Sequence, residues 1–175
     1  MAYWGYFVVG RSERPLAELD ALTAASGMTL LQTAPGGWQV WEYPSDDGDI
    51  GSMNALARET GAPALFGYVM NSACVAVEAA APQSGAWTTC LARRAMAGYL
   101  AGGTDDGEQE GLGVEDYFLA PGEAAERAVA WAAEAGHTVA PEPLAQVLGV
   151  DPDPSEPLAE NLFFRFLDRL GVVPL

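Results

Sequence analysis

The amino-acid sequence predicts an α+β protein built on a ferredoxin-like β-α-β-β-α-β core, with an extra strand and a helical C-terminal extension packed on it. Strand and helix signals alternate over residues 1–86, and helical periodicity dominates residues 87–175. Half of the 175 residues are hydrophobic, which is enough for one ordinary core. We therefore expect a single α+β domain, with a strand-rich core over 1–86 and the helical extension over 87–175.

The first part of the core is predicted to be a strand, a helix and a hairpin. Residues 3–10 are rich in aromatic and β-branched side chains, which favours a strand. Pro15 suits the start of a helix that ends at Gly27. The apolar face of this helix is predicted to carry Leu16, Leu19 and Leu22. Residues 28–32 and 38–43 are predicted strands, because an Ala-Pro-Gly-Gly turn separates them.

The second part of the core repeats the order of helix and hairpin. Apolar residues at helical spacing over 53–60 precede a stop at Gly61. Residues 65–70 and 74–78 then form a second predicted hairpin. The predicted order is β-α-β-β-α-β-β, in which the first six elements match the ferredoxin-like arrangement.

The C-terminal half is predicted to be helical. Residues 121–135 and 143–148 have helical patterns, and a last helix follows. A first helical stripe is predicted from Trp87, Leu91, Ala95 and Tyr99. The apolar stripe of the last helix is predicted from Leu158, Leu162, Phe163, Phe166 and Leu170. These stripes must be buried, so we expect the helices to pack on the sheet.

Residue usage excludes several chemistries. All eight basic residues are arginines, so Schiff-base and pyridoxal-phosphate chemistry is excluded. His137, Cys74 and Cys90 show no zinc-ligand spacing, and we expect neither a metal nor a cofactor. His137 follows Gly136 at a predicted helix end, where a capping role is more natural than a catalytic one. We expect two buried, reduced thiols in a cytoplasmic protein with no membrane span.

Negative charge is concentrated towards the C-terminus. The formal net charge is -16, of which residues 103–175 carry the larger part. One Gly-rich stretch and its flank contain Asp105, Asp106, Glu108, Glu110, Glu115 and Asp116. Three interpretations compete: a solvated connector, a calcium site that departs from the EF-hand pattern, and a docking surface for a basic protein. Direct nucleic-acid binding is disfavoured, because dispersed arginines form no basic stripe.

The aromatic residues provide a second candidate site. Several tryptophans and tyrosines lie on predicted strands, so alternation directs one set towards the helices and the other set away from them. If the second set is uncovered, it forms a ligand pocket or an oligomer interface. The candidate pocket residues are Trp4, Trp38 and Trp41.

The sequence thus favours a non-catalytic acidic binding protein of inhibitor, immunity or adaptor type, because charge is asymmetric and no catalytic set is found. One alternative is a small-molecule-binding protein or enzyme with an aromatic-lined pocket. Another is a subunit of a larger assembly, including a homo-oligomer.

Overall fold

The α+β class is confirmed, and the sheet is entirely antiparallel. The computed structural model describes residues 3–23, 25, 27–45, 50–101, 114–152, 155 and 158–174. Within them the strands are β1 (Gly5–Arg11), β2 (Thr29–Ala34), β3 (Trp38–Pro44), β4 (Ala64–Met70), β5 (Cys74–Ala81) and β6 (Gly85–Leu91). They form one sheet in the order β2-β3-β1-β4-β5-β6. The edge strands are therefore β2 and β6.

The α-helices connect and cover this sheet. They are α1 (Met53–Thr60), α2 (Arg93–Ala101), α3 (Val114–Tyr117), α4 (Pro121–Glu134), α5 (Pro141–Gly149) and α6 (Ala159–Leu170). The predicted stripe of the last helix is buried except for Leu158, which precedes α6 and is exposed.

The predicted helix after Pro15 is wrong. Two 3-10 turns, Leu16–Glu18 and Asp20–Leu22, replace it. Leu19 lies between the two turns and has extended backbone angles (φ -81°, ψ 149°), so the segment is not one continuous helix. Leu16, Leu19 and Leu22 are nevertheless all buried.

The predicted helical stripe from Trp87 is also wrong at its start. Residues 85–91 form β6, in which Trp87 lies opposite Ala79 of β5. The β-branched pair Thr88 and Thr89 suits a strand better than a helix. The predicted boundary at residue 86 thus falls inside a strand, and the helical part begins at α2.

Apolar side chains are buried on both faces of the sheet. One face packs with α4, α5 and α6 around Trp38, Trp131 and Phe163. Trp38 and Trp131 have ring centroids 5.8 Å apart. The indole Nε1 of Trp131 donates to the carbonyl oxygens of Ala64 and Ala80, each at 3.1 Å, so its polar atom is satisfied in the core.

The opposite face is covered in part by α1 and the 3-10 turns. Val8 of β1 is fully buried there with Leu16, Met53 and Leu56. Glu78 of β5 fixes the start of α1, because its Oε2 accepts from the Met53 amide at 3.0 Å. The sheet therefore lies between two layers of helices or turns.

Ser72 connects the β4–β5 turn to two distant segments. Asn71 and Ser72 both have positive φ, at 55° and 52°, and the Ala73 amide donates to the Met70 carbonyl. Such a primed turn matches the twist of a hairpin. The Ser72 hydroxyl accepts from the Tyr3 amide at 2.8 Å and donates to Glu160 of α6 at 3.0 Å. One turn thus anchors the N-terminal segment and the last helix.

Replacing Gly67 with alanine tests how tightly α6 packs on β4. A Cβ at Gly67 would lie 2.5 Å from the buried Phe163 ring. We expect Gly67→Ala to lower the free energy of unfolding by about 1–3 kcal/mol in a urea titration. Gly98→Ala is the control, because a Cβ at Gly98 meets nothing within 4 Å; on α2 it should stabilise by about 0.5–1 kcal/mol. Equal effects would contradict this packing.

Glu134 of α4 holds the β5–β6 turn and gives a pH-dependent contact. Its carboxylate accepts from the amides of Gln83 and Ser84 at 2.8 and 2.7 Å. Burial alone would raise the pKa of Glu134, but these hydrogen bonds outweigh it and leave the pKa below its ordinary value of 4.5. The contact is therefore complete above pH 4.5 and is lost as the pH falls through the lower, folded value.

NMR titration of the Gln83 and Ser84 amides tests this contact. We expect their chemical shifts to change with a midpoint below 4.5, and Glu134→Gln to abolish that change. Glu126→Gln, an exposed position on the same helix, should leave it intact. A midpoint above 4.5 would contradict the direction of the pKa change.

Candidate functional site

The described part of the acidic stretch lies beside the β6 edge. Asp105, Asp106, Glu108 and Glu110 lie outside the described residues. Glu115 and Asp116 are exposed on α3. The structure therefore locates these two of the six predicted partner-binding carboxylates.

Hydrogen bonds hold the segment after α3 against β6. The Leu119 amide donates to the Thr88 carbonyl at 3.0 Å. The Thr88 hydroxyl donates to the Tyr117 carbonyl at 3.1 Å, and the Thr89 hydroxyl donates to the Leu119 carbonyl at 3.0 Å. Two consecutive threonines of β6 thus fix the position of the carboxylates that precede this segment.

Arg93 joins α2 to the same segment. Its Nη1 donates to the Leu119 carbonyl at 3.1 Å, and its Nη2 lies 3.2 Å from Glu115 Oε2. The Glu115 side chain is 72% exposed, so solvent screens this ion pair and it contributes about 0–1 kcal/mol. The carboxylate therefore remains accessible to a partner.

Arg127 of α4 is directed towards the sheet. Its Nη2 donates to the carbonyl oxygens of Ser84 and Ala86 at 3.0 and 3.1 Å. Its neighbours Glu123 and Glu126 are exposed on the same helix. Both arginines donate to backbone carbonyls, and Arg93 also pairs with the exposed Glu115, whereas Glu123 and Glu126 face solvent. We call Glu115, Asp116, Glu123 and Glu126 the acidic surface.

A groove of about 320 Å³ lies next to the acidic surface. Its lining includes Glu115, Asp116, Tyr117, the β6 edge at Thr88 and Arg127, whose guanidinium donates to the Ser84 and Ala86 carbonyls. Tyr117 is 48% exposed. Carboxylates beside an exposed aromatic ring suit a cationic side chain, through charge-assisted hydrogen bonds and cation–π attraction. The sequence pattern gave no sign of Tyr117, because its exposure depends on how α3 meets β6.

The three predicted pocket tryptophans are not gathered in one place. Trp38 and Trp41 border an open groove of about 310 Å³ beside β2. Trp38 is 2% exposed, and Trp41 Nε1 donates to Gln39 Oε1 at 2.7 Å. Trp4 is not among the residues that line this groove, and its ring lies against Tyr99 of α2 with centroids 6.3 Å apart. Ligand binding by these residues stays a prediction.

Further aromatic rings form a row across the sheet that the sequence pattern did not predict. The rings of Tyr43, Tyr6, Tyr68 and Trp4 follow one another across three strands and the N-terminal segment. Tyr6 and Tyr68 are stacked with centroids 4.5 Å apart. Alternation along each strand indicates on which face of the sheet a ring lies. The order of the strands then decides which rings become neighbours.

The nucleophile candidates are poorly placed for catalysis. Cys74 and Cys90 are free thiols and fully buried. Burial raises the pKa of Cys74 to about 12 and that of Cys90 to about 11, so neither is a thiolate near neutral pH. His137 lies beside Gly171, where a Cβ would be 3.0 Å from its ring, and its own amide donates to Ala132 at the end of α4.

Removing the Arg127 guanidinium tests its role at the β6 edge. Arg127→Met keeps most of the apolar stem but leaves two carbonyls without this donor. We expect a loss of about 1–3 kcal/mol in the free energy of unfolding, measured by urea titration. Arg94→Met, at an exposed position, should change it by less than about 0.5 kcal/mol. An equal effect of both substitutions would contradict the assigned role.

Comparison with known site types and known proteins assigns no function to the chain. Among the described residues, no cluster of His, Cys, Asp and Glu has the composition of a metal site. None of the described helices has the length and apolar character needed to span a bilayer. Neither a protein-family model, nor a curated protein, nor a solved structure matches the chain.

Proposed function

We propose that the protein is a non-catalytic binding protein that meets a basic protein partner through the acidic surface, as an inhibitor, immunity protein or adaptor would. The observation that carries this proposal is the orientation of charge beside β6. Arg93 and Arg127 donate to backbone carbonyls, whereas Glu123 and Glu126 face solvent. A surface of one sign accelerates encounter with an oppositely charged partner.

The groove supports a basic side chain as the central contact. An arginine or lysine entering it would meet the Glu115 and Asp116 carboxylates and the exposed Tyr117 ring. Binding energy at protein interfaces concentrates in a few such anchored side chains. The carboxylates of 105–110 precede this segment in the chain and add to its negative charge.

The non-catalytic part of the proposal has separate support. Both thiols are buried with raised pKa values, and the single histidine borders a helix end and Gly171. Two unpaired thiols also support a reducing compartment, so we propose a cytoplasmic location.

The ferredoxin-like core remains part of this proposal. Its support is the position of β1 between β3 and β4, with antiparallel pairing on both sides. The 3-10 turns in place of the first helix are a departure from that pattern.

The partner can be sought by capture and then tested with charge-matched variants. The immobilised protein should retain a basic protein from an extract of the source organism at about 50 mM salt and release it by about 200 mM. Neutralising the acidic surface should weaken binding of the purified partner at least about tenfold, or about 1.4 kcal/mol. The substitutions are Glu115→Gln, Asp116→Asn, Glu123→Gln and Glu126→Gln.

A control variant removes the same number of negative charges, four, at other positions of the chain. It carries Glu13→Gln, Glu18→Gln, Glu142→Gln and Asp151→Asn, all at exposed positions. Calorimetric titration should show a much smaller loss for this variant, since distant exposed charges are screened. Equal losses in both variants, or no basic protein captured at low salt, would refute the proposal.

A further inference from the structure

The two edge strands of the sheet differ in the hydrogen bonding of their outer backbone groups. On β6, the Thr88 carbonyl accepts from the Leu119 amide and the Ala86 carbonyl accepts from Arg127. On β2, every residue from Thr29 to Thr33 is exposed, and Ala34 is half-buried. Among the described residues, the hydrogen-bonded strand neighbour of β2 is β3 alone. Its outer edge therefore presents backbone donors and acceptors to solvent.

Two adjacent side chains of β2 are apolar and exposed, although edge strands are normally protected. Leu30 and Leu31 are 45% and 44% exposed, and they are adjacent in sequence. Natural sheets commonly block an open edge with charge, proline or a bulge. The β2 strand has an irregularity between Leu30 and Gln32, but it contains neither a charged residue nor a proline. Such an edge is a template for pairing with another strand.

The charge distribution identifies the partner strand. Residues 21–41 contain no charged side chain, although the whole chain carries a net charge of -16. Two copies of this chain repel each other least where their facing surfaces are uncharged. A basic protein, by contrast, gains no electrostatic attraction from an uncharged strand. The occupant favoured at β2 is therefore a second copy of the chain.

We propose that the protein dimerises by antiparallel pairing of β2 with β2 of a second copy, so that one sheet runs through both chains. Antiparallel pairing of identical strands is two-fold symmetric, as closed dimers require. The leucines then lie at the junction and lose their exposure to water. This contact uses the sheet edge opposite the acidic surface, so it leaves the proposed partner site open.

The test is the mass of the protein in solution. Sedimentation equilibrium should give twice the chain mass of 18.4 kDa at high protein concentration. The double variant Leu30→Lys and Leu31→Lys should raise the dimer dissociation constant at least about tenfold, because it adds like charges at the junction. Leu158→Lys alters a leucine of similar exposure at the start of α6 and should leave the constant unchanged.

Salt and hydrogen exchange give two further readouts on the unaltered protein. Raising salt should tighten the dimer, since it screens repulsion between two acidic chains, and this is opposite to the effect expected for the basic partner. Amide exchange in β2 should slow as protein concentration rises, while exchange in β5 should not change. A monomer at every concentration, a dimer weakened by salt, or equal effects of the Leu30/Leu31 and Leu158 substitutions would overturn the proposal.

Discussion

The edge strand β6 receives its outer backbone hydrogen bonds from distant parts of the chain. An edge strand has no strand neighbour to provide such bonds on one side. Here the Leu119 amide and the Arg127 guanidinium are the donors. The same contacts hold α4 and the segment after α3 in place, and they fix where the neighbouring carboxylates meet solvent.

The two ends of the sheet therefore differ in charge and in whether the edge strand is covered. At the β6 end, Arg93 and Arg127 donate to backbone carbonyls, while Glu115, Asp116, Glu123 and Glu126 are exposed. At the β2 end, the edge strand itself carries no charged side chain, and its outer edge is open among the described residues. A highly acidic protein can use the first end for a partner of opposite charge and the second for a copy of itself. The two proposed contacts use different parts of the surface, and we expect salt to act on them in opposite directions.

Part of the fold could be predicted from local pattern. The hairpin turn at Asn71 and Ser72 and the burial of Phe163 and Phe166 follow from turn chemistry and helical spacing. The helix after Pro15 was a wrong prediction because the spacing of three leucines matches one face of an α-helix, whereas Leu19 is extended between two separate 3-10 turns. The strand at Trp87 was missed because four apolar residues happened to match helical spacing, while the pairing with β5 is a long-range effect.

The site was less predictable than the fold. Charge counting located the acidic segment, but it could not show that Arg93 and Arg127 bind carbonyl oxygens across the chain. Trp38 and Trp41 are three positions apart in one strand, so they lie on opposite faces, and only strand order shows which neighbours each receives. Sequence separation is large for all of these contacts, which is why local pattern carries no information about them.

Both proposed contacts depend on a difference in charge between a strongly negative β6 end of the sheet and a β2 end that is not. It can be measured by NMR, from the relaxation that a cationic and an anionic paramagnetic cosolute each produce at individual amides. We expect the cationic probe to be strongly enriched over the anionic one at residues 114–126, and the two probes to approach residues 29–34 almost equally. Equal enrichment at both ends of the sheet would contradict it.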